Sequence, residues 1–274
     1  MTTPDQIRPF QREVLDYYKK HARELPWRQA EEDGSFDPYK ILVSEIMLQQ
    51  TQVNRVIPKY QAFITCFPTL RDLAEAPLSR VLEEWSGLGY NRRAKYLHQA
   101  AAVVMSELGG KLPASTELLT NLPGVGKNTA AAIVVYSFNQ AVVFIETNIR
   151  TVYLHHFFKH QNQITDAQLI PYIEASLDEI NPREWYWALM DYGSYLKQTI
   201  PNPNVRSKHF TRQSAFEGSV RQIRGQIIKL LTVGPVSLTK LQNTIVDTRL
   251  ITVLGSLQDE GLISQRGSTY RLGK

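Results

Sequence analysis

The 274-residue chain is 43% hydrophobic, enough for one large domain or a few small ones with a conventional core, and its single cysteine, Cys66, excludes an internal disulfide and any all-cysteine metal or iron–sulfur site. No apolar run approaches the roughly 18 residues of a membrane span, and the polar start MTTPDQIRPFQREV is not typical of a signal peptide, so a cytoplasmic protein is expected. Residues 205–274 carry eleven Lys/Arg and four Asp/Glu, a net +7, whereas residues 1–204 carry twenty and twenty-two, a net −2. The basic C-terminal segment favours a polyanion such as nucleic acid, with a merely soluble basic tail as the alternative.

Most of residues 7–200 has the periodicity of helices. Apolar residues recur three and four positions apart in ILVSEIMLQQTQVNRVIPKYQAFI and in RRAKYLHQAAAVVMSEL. Short breakers such as DGSFDP, GLGYN, GGKLPAS and INPRE separate these stretches. Only QAVVFIET resembles a strand, and at that length it is equally consistent with the start of a buried helix. The pattern predicts an all-α body of about ten helices.

The pattern changes after residue 200. Residues 201–215 contain two prolines and two asparagines, which predict an ordered loop or linker. Residues 216–274 then read as three helices followed by a β-hairpin, ISQRGSTYRLG, with its turn at Arg266-Gly267. Three helices and a hairpin are typical of a winged-helix domain, a helix-turn-helix variant. Such a domain can bind DNA or another protein, and both remain open.

The stretch LPGVGKNTA at residues 122–130 predicts a tight hairpin between two helices. Gly124 and Gly126 allow backbone N–H groups to crowd together without interference from a Cβ. The helix that follows presents unpaired N–H groups and the positive end of its dipole, which suit a phosphate group. An ordinary corner between two helices is the alternative.

Several motifs, in chain order, resemble one protein family. LPGVGKNTA resembles the helix-hairpin-helix of the DNA glycosylases of the endonuclease III superfamily. SEIMLQQTQVNRVIPKY, EEWSGLGYNRRAKYLHQAA, LPWR and NIRTV resemble the signature of its MutY adenine glycosylases, and the resemblance runs from about residue 8 to residue 195. It implies a helix-hairpin-helix glycosylase body at residues 1–200 with two lobes, a linker at 201–215 and a winged-helix domain at 216–274. Lobe A would span about residues 30–134, and lobe B about residues 1–29 plus 135–200.

The resemblance also implies where the chemistry takes place. Cleavage of an N-glycosidic bond passes through an oxocarbenium-like sugar, so it needs an acid for the departing base and an anion for the sugar. Glu45 lies in the otherwise apolar LVSEIMLQ, which favours a raised pKa, and it corresponds to the MutY glutamate that protonates adenine. Glu146 stands where the family has the aspartate of a DGN or DAN motif, and Asn148 would hold the sugar or the attacking water. Because glutamate is longer by about 1.3–1.5 Å, either the site is rebuilt around Glu146 or catalysis is weaker or different.

The lysine beside the hairpin separates two reaction types. In the bifunctional lyases of the superfamily, a Schiff-base lysine directly precedes the threonine of this motif. Here Asn128 precedes Thr129, and Lys127 lies one residue earlier. One residue on a helix turns a side chain by about 100°, so Lys127 should face away from the target sugar. The resemblance therefore implies a monofunctional glycosylase with Asn128 at the catalytic position and Lys127 and Thr129 at phosphates, a solvated Lys127 being the alternative.

Further residues are candidates for DNA contact. The adjacent Gln49 and Gln50 can fill the gap left by a flipped base and read the opposite strand. Tyr90 follows two glycines in GLGYN and suits a wedge between bases, with simple packing as the alternative. The remaining candidates are cations that would hold phosphates or order the site: Arg28, Arg92, Arg93, Arg212, Arg221, Arg224, Lys229, Arg249 and Arg266.

Besides the glutamate at 146, the chain departs from the family in two larger regions. Most relatives end the second lobe with four cysteines that hold a 4Fe–4S cluster, whereas DYGSYLKQTIPNPNVRSKHFTRQ has none. We therefore expect no cluster and no other metal cofactor, and leave open only a monovalent cation at the helix-hairpin-helix. MutY also has a large C-terminal domain that recognises 8-oxoguanine, and the winged helix stands in its place.

These observations predict a monomeric, nucleoid-associated base-excision-repair enzyme that acts on double-stranded DNA with a mispaired or damaged base. Adenine opposite 8-oxoguanine or guanine is the first candidate, and thymine or uracil opposite guanine is the second. A non-catalytic damage-binding protein is consistent with the glutamate at 146 but gives no reason for Glu45. A transcription regulator built on the winged helix would leave the first 200 residues without a role.

Overall fold

The computed structural model describes residues 4–213 and 215–273. The chain is mostly helical, and its elements are, in order, α1 Pro4–His21, α2 Pro38–Leu48, α3 Val53–Cys66, α4 Leu70–Glu75, α5 Leu78–Trp85, α6 Arg92–Glu107, α7 Thr116–Thr120, α8 Lys127–Phe138, α9 Thr147–Phe157, α10 Asp166–Ser176, α11 Pro182–Thr199, α12 Val220–Leu231, β1 Val236–Ser237, α13 Leu238–Thr244, α14 Leu250–Asp259, β2 Ile263–Arg266 and β3 Thr269–Leu272. Short 3-10 turns lie at Pro26–Arg28 and Pro203–Arg206. Within the described residues, no helix is long and apolar enough to cross a membrane.

The chain divides into two compact units, which are described separately. Unit 1 comprises Met1–Pro38, Ala114–Thr116 and Gly126–Arg212, and it holds α1 and α8–α11. Unit 2 comprises Tyr39–Pro113, Glu117–Val125 and Gln213–Lys274, and it holds most of α2–α7 together with the C-terminal helices and strands. Each unit is therefore assembled from segments that are distant in the sequence.

The centre of unit 1 is the packing of α9 against α11. Both helices contribute aromatic side chains that are fully buried, namely Tyr153 from α9 and Trp185 and Tyr186 from α11. Phe10 of α1 packs against Tyr153 and Trp185 with ring centroids 5.2 and 5.8 Å apart. Because burial of each large aromatic side chain stabilises the fold by roughly 1.5–3 kcal/mol, this cluster is what fixes α1 to the pair.

The helical part of unit 2 packs α6 against α4 and α5. Small residues on α6, including Ala94, Ala100 and Ala101, are fully buried and allow these helices to approach closely. Trp85 at the end of α5 and Phe63 of α3 fill the space beside them, with ring centroids 6.0 Å apart. This packing fixes the two ends of the segment that joins α5 to α6.

The C-terminal residues of unit 2 form three helices and a small antiparallel sheet of order β1-β3-β2. Apolar side chains of α12 and α14, such as Ile227 and Leu257, are buried. The predicted β-hairpin is present, but its turn lies one residue later than expected, because Arg266 still pairs with Thr269. Gly267 opens that turn with φ 59°, a conformation that favours glycine.

Two connecting segments differ from a simple reading of the sequence. Residues 140–146, which include most of QAVVFIET, are neither strand nor helix but extended chain before α9. The Phe144 N–H donates to the Tyr186 hydroxyl at 3.3 Å, so a side chain replaces the strand partner. The segment predicted as an ordered loop or linker is held by two contacts near residue 204. Ile164 and Ser207 form a parallel bridge, and the amide of the buried Asn204 donates to the Thr151 hydroxyl of α9.

Candidate active site and DNA-contact residues

Glu146 in unit 1 forms the N-terminal cap of α9. Its carboxylate accepts hydrogen bonds from the backbone N–H groups of Asn148 and Ile149, the latter at 3.0 Å. These are two of the N–H groups that a helix start leaves without a partner, and the helix dipole adds a favourable field for the negative charge. The residue as a whole is half-buried. The longer glutamate is therefore held in place at a helix start.

Asn148 lies beside this carboxylate in the first turn of α9. Its Nδ2 donates to Glu146 Oε2 at 3.3 Å and lies 3.9 Å from Met190 Sδ. Its Oδ1 is buried and has no hydrogen-bond partner among the described residues. Burying an amide oxygen without a partner is costly, so this atom is suited to accept a hydrogen bond from a substrate hydroxyl or a water.

The close approach of α11 to Asn148 depends on Gly193. A Cβ at this position would lie 2.3 Å from the Asn148 carbonyl oxygen and 2.9 Å from its Cβ. No side chain fits there without displacing the start of α9. Gly193 therefore sets the position of the residues that present Glu146.

Burial raises the pKa of the Glu146 carboxyl above its usual range, whereas the positive charge of Lys197, the backbone N–H groups of Ile149 and Asn148, and Arg150 lower it. Lys197 lies on α11 and is half-buried. Burial lowers the pKa of its amine, and the charge of Glu146 raises it. The carboxylate and the amine therefore stabilise each other's charged forms in surroundings that disfavour both.

The N-terminus of α8 brings Asn128 next to the segment that leads into Glu146. The Asn128 Nδ2 donates to the Ile145 carbonyl at 2.6 Å, which fixes the residue before Glu146. Gly126 caps α8 without a side-chain hydrogen bond, and Lys127 is exposed at its first position. An uncapped, exposed helix start that is followed by a cation suits a phosphate group.

In unit 2, Glu45 lies in the middle of α2. The residues around it, from Ile41 to Met47, are buried, whereas Glu45 itself is half-buried. The expectation of a carboxyl group among apolar neighbours is therefore met on this helix.

The glutamines follow α2 in a turn that Arg93 holds. The buried Arg93 guanidinium donates to the carbonyls of Ile46, Met47 and Gln49 at 2.8, 2.9 and 2.6 Å. These carbonyls belong to the end of α2 and the turn after it, which a helix leaves unpaired. Gln50 is exposed with φ 56°, a left-handed conformation that is uncommon for a residue other than glycine.

The same arginine fixes the loop before α6. Its Nη2 donates to the Gly89 carbonyl at 3.1 Å and to the Thr51 hydroxyl at 3.0 Å, and its guanidinium lies 5.3 Å from the centroids of the Trp85 and Tyr90 rings. Burial lowers the pKa of Arg93 to about 10, which leaves it charged at neutral pH. Arg93 therefore orders both loops, the second of the two roles that the sequence left open for it.

Tyr90 has φ 47°, and its ring is half-buried between cations. Its hydroxyl accepts hydrogen bonds from Arg221 of α12, at 2.9 Å, and from Gln213. Positive φ at two non-glycine residues costs about 1–3 kcal/mol each, so the surrounding contacts must hold them in place. Gln50 and Tyr90, both picked from the sequence as DNA contacts, are two of the four such residues in the described part of the chain.

Arg92 forms an ion pair with Glu260 at the end of α14, 2.7 Å from Oε1. Arg224 of α12 binds both oxygens of the same carboxylate. Burial raises the pKa of Glu260, but the hydrogen bonds and charges of Arg224 and Arg92 outweigh it and hold that pKa at about 2. A cavity of about 470 Å³ lies beside this ion-pair cluster and is lined by Ile46, Gln49, Gln50, Tyr90, Arg92, Arg93, Tyr96, Gly124, Arg224 and Glu260.

Four other predicted DNA contacts have different surroundings. Arg28 is buried in unit 1 and binds both oxygens of Asp191 at 2.8 Å, so its guanidinium orders the fold rather than reaching a phosphate. Gly124 has φ 77°, and a Cβ there would lie 2.8 Å from Tyr96 Cβ. Arg212 and Arg266 are exposed, the second at the end of β2.

Sequence reasoning missed Lys197, Gly193 and Glu260. A lysine inside an otherwise amphipathic helix was the available signal for Lys197, and a glycine inside the same helix was the signal for Gly193. Glu260 had none, because an acidic residue at the end of a helix is commonplace.

The residues of this chain do not fit an iron–sulfur cluster. Cys66 at the end of α3 is the only cysteine in the sequence, and the Arg80 guanidinium donates to its sulfur at 3.4 Å. Within the described part of the chain, no three His, Cys, Asp or Glu side chains are grouped to hold a metal ion.

Comparison with known proteins gives a consistent result. Residues 43–175 match the family model of the HhH-GPD superfamily base excision DNA repair proteins. The chain is 31% identical over 274 aligned residues to an adenine DNA glycosylase of Mycolicibacterium smegmatis, covering 92% of each protein. It is 33% identical over 217 residues to the adenine DNA glycosylase of Buchnera aphidicola, covering 78% of this chain and 60% of that one. Among solved structures, a thermostable thymine-DNA glycosylase superposes with a TM-score of 0.63 at 25% identity, covering 73% of this chain and 91% of that one.

The extent of the match differs between relatives. The chain spans 60% of the length of the Buchnera protein and 28% of the rat and human adenine DNA glycosylases, to which it is 43% and 42% identical over the shared part. The match to these longer relatives therefore covers only part of their length.

Proposed function

Because the chain belongs to the adenine DNA glycosylases of the HhH-GPD superfamily of base excision DNA repair proteins, we propose that it hydrolyses the N-glycosidic bond of adenine opposite 8-oxoguanine or guanine in double-stranded DNA. One observation carries the chemistry: the Glu146 carboxylate caps α9 and accepts two backbone N–H bonds beside Asn148 Oδ1, which has no hydrogen-bond partner among the described residues. An anion held in this way suits a cationic sugar transition state.

In the proposed reaction, Glu45 gives a proton to the ring of the flipped adenine. The bond from the sugar C1′ to the base then breaks, and its electron pair leaves with the base. Ionised Glu146 stabilises the positive charge that develops on the sugar, as in glycoside hydrolysis. Water adds to C1′ and releases a proton, with Asn148 Oδ1 suited to orient the water or a sugar hydroxyl.

We propose that the enzyme is monofunctional. Asn128 stands where the bifunctional relatives have their Schiff-base lysine, and its amide is committed to the Ile145 carbonyl at 2.6 Å. An amide cannot form a Schiff base, so release of the base leaves an abasic site. Lys127 and Thr129 at the start of α8 would bind a phosphate of the strand.

For DNA recognition we propose that Gln49, Gln50 and Tyr90 enter the base stack where the target nucleotide has left it. Support comes from the strained backbones of Gln50 and Tyr90, which a folded chain retains only when surrounding contacts impose them. Arg92, Arg212 and Arg266 would contact phosphates, which predicts an affinity that falls with salt.

We further propose that residues 216–274 are a winged helix that contacts the flanking duplex. The order helix, strand, helix, helix and β-hairpin supports this, as do the exposed Arg266 beside the hairpin turn and the net positive charge of the segment. The protein would act as a monomer at chromosomal DNA, with no metal cofactor.

The test uses end-labelled duplexes that hold a single A:8-oxoG, A:G, T:G or U:G pair, incubated with excess enzyme and divided into samples with and without alkali. Adenine strands that break only after alkali are the expected result for the wild type. Glu45→Gln and Glu146→Gln should lose this activity, whereas Glu107→Gln, an exposed glutamate at the end of α6, should keep it. Breaks without alkali would instead mean that a lysine reaches the sugar.

A second candidate is excision of thymine or uracil opposite guanine. It is favoured by one observation, the fold match to a thymine-DNA glycosylase over 91% of that chain. Cleavage of the T:G and U:G duplexes but not of the adenine duplexes would establish it. No cleavage of any duplex, with tight binding retained, would favour a non-catalytic damage-binding protein.

A further inference from the structure

Lys197 belongs to the face of α11 that meets the first turn of α9. Two other residues define this face. Met190 Sδ lies 3.9 Å from Asn148 Nδ2, and Gly193 lies so close to Asn148 that an added Cβ would be 2.3 Å from its carbonyl oxygen. Lys197 follows Gly193 by four residues, which places it on the same face one turn further along.

Gly193 lets the first turn of α9 come close to the backbone of α11 beside the lysine. Long side chains of an α-helix point back towards its N-terminus and lie over the residue four positions earlier. For Lys197 that residue is Gly193, which lies directly against Asn148 of α9. The ammonium group is thereby directed towards the start of α9, where Glu146 and Asn148 lie.

The charges around this pair leave Lys197 as the principal cation for Glu146. Among the described residues, Lys197 and Arg150 are the cations that act on the Glu146 carboxyl, and Lys197 acts more strongly. Arg150 is itself bound to Asp166 of α10 at 2.8 Å through both Nε and Nη2.

The other charged groups near α9 have partners of their own. Asp191 of α11 is bound by Arg23 and Arg28, and Arg206 of the second 3-10 turn donates to the Lys159 carbonyl at 2.7 Å. Arg23 also acts on Lys197, and it favours the neutral amine. The charged form of Lys197 is therefore supported by Glu146.

We propose that Lys197 is a positioning residue of the glycosylase reaction, whose ammonium group keeps the Glu146 carboxylate ionised and in place at the start of α9. The inference rests on the proposed function, because the charge of Glu146 matters to the rate only when it faces the sugar. It also gives the cysteine-free segment a role in the chemistry, since Lys197 lies inside it.

The sign of the expected effect follows from the pKa of Glu146. Burial raises this pKa, and Lys197 opposes the rise. Without the positive charge the pKa rises further, so at any given pH in the acidic limb a larger share of Glu146 is protonated and inactive. The acidic limb of the pH–rate profile therefore moves to higher pH, and the rate loss is largest at low pH.

The experiment compares single-turnover rates of adenine release from an A:8-oxoG duplex between pH 5 and pH 9. In Lys197→Met we expect an acidic limb about one pH unit higher and a rate about tenfold lower below that limb. Lys197→Arg keeps the charge and should keep the wild-type profile. Lys111→Met, at an exposed loop lysine, is the matched control and should match the wild type. A Lys197→Met profile of unchanged shape, with or without a uniform loss of rate, overturns the proposal.

A second measurement reads the pairing without activity. Carboxyl carbon resonances of glutamate-labelled protein are titrated by NMR, and Glu146→Gln identifies the Glu146 signal. An upward shift of the Glu146 titration in Lys197→Met, or in Lys197→Gln if the Met variant does not fold, supports the proposal, and an unmoved titration overturns it. A wild type that cleaves none of the duplexes overturns the proposed function alone, because this titration still reports on the pair.

Discussion

Glu146 in unit 1 and the Gln49–Tyr90 loops in unit 2 are fixed by different means. Glu146 caps its own helix, and its partners lie two and three residues further along the chain. The loops instead depend on Arg93, which reaches back 47, 46 and 44 residues to the end of α2 and the turn after it. A local cap orders the residue proposed for the chemistry, and one distant side chain orders the residues proposed for DNA contact.

The backbone conformation of Glu146 is ordinary, whereas those of Gln50 and Tyr90 are strained. Glu146 has φ −121° and ψ 179°, an ordinary extended conformation for a helix cap. Gln50 and Tyr90 have positive φ, which costs about 1–3 kcal/mol each. The comparison teaches that the carboxylate is placed without backbone strain, whereas the loops keep a strained shape only while Arg93 holds them. Four substitutions test this difference, from the largest expected effect to the smallest.

Gly193→Ala should have the largest effect, because the added methyl group would clash with the first turn of α9. The new Cβ would lie 2.3 Å from the Asn148 carbonyl oxygen. We expect a loss of about 3 kcal/mol or more in the free energy of unfolding, measured in urea, and at least a hundredfold loss in single-turnover rate. Gly225→Ala, in the open middle of α12, is the control and should stabilise by about 0.5–1 kcal/mol. Equal behaviour of the two variants would show that the approach of α11 to α9 is not critical.

Arg93→Met should collapse the loops of unit 2 and leave the Glu146 cap intact. It removes five hydrogen bonds from a buried cation and leaves several carbonyls unpaired. We expect the free energy of unfolding to fall by about 3 kcal/mol and the DNA affinity to fall with it. The titration of Glu146 should stay close to that of the wild type. Arg80→Met removes an exposed arginine and should change stability by less than about 1 kcal/mol. Unimpaired DNA binding by Arg93→Met would contradict the role given to this residue.

Glu260→Gln tests how firmly the C-terminal helices are attached near Arg92. The folded pKa of Glu260 is about 2, below its ordinary value of 4.5. Its contribution to stability is therefore complete above about pH 4.5 and is lost as the pH falls towards 2. We expect the variant to be about 2 kcal/mol less stable at pH 7 and to show a flatter dependence of stability on pH in this window. Asp259→Asn, at the exposed neighbour, should keep the wild-type dependence.

Tyr90→Phe should have the smallest effect. It removes only the hydroxyl that accepts from Arg221 and Gln213 and keeps the ring. We expect a change of about 0.5–1 kcal/mol in stability and nearly unchanged DNA affinity in fluorescence anisotropy. Tyr90→Ala removes the ring and should weaken binding about tenfold or more. Equal affinities of the two variants would assign Tyr90 to packing.

Much of the helical body could be predicted from the sequence, because a helix depends on residues three and four positions apart. The three-and-four spacing of apolar residues predicted α2, α3 and α6, and the breaker segments predicted the gaps between helices. The C-terminal hairpin was predicted to within one residue of its turn. The conformation of the segment before α9 could not be predicted from the sequence, because a short apolar run fits more than one structure. The Tyr186 hydroxyl that accepts from the Phe144 N–H is 42 residues away.

The candidate site, like the fold, could be predicted in part from the sequence. The residue types of Glu45, Glu146 and Asn148 and the order of the motifs were enough to nominate them for glycosidic chemistry. The role of Arg28 was not decided, because only the fold reveals that Asp191 takes both ends of its guanidinium.

The sequence by itself determined the helices, the hairpin glycines and the residue types that carry charge at the site, because these depend on neighbours a few positions apart. Only the tertiary structure decided that Arg93 ties two loops together, that Glu260 binds Arg92 and Arg224, and that Gly193 of α11 lies against Asn148 of α9. Apart from the bond between Arg93 and the Gly89 carbonyl, each of these contacts joins residues more than thirty positions apart. Packing of apolar faces brings such residues together without leaving a trace in any local pattern.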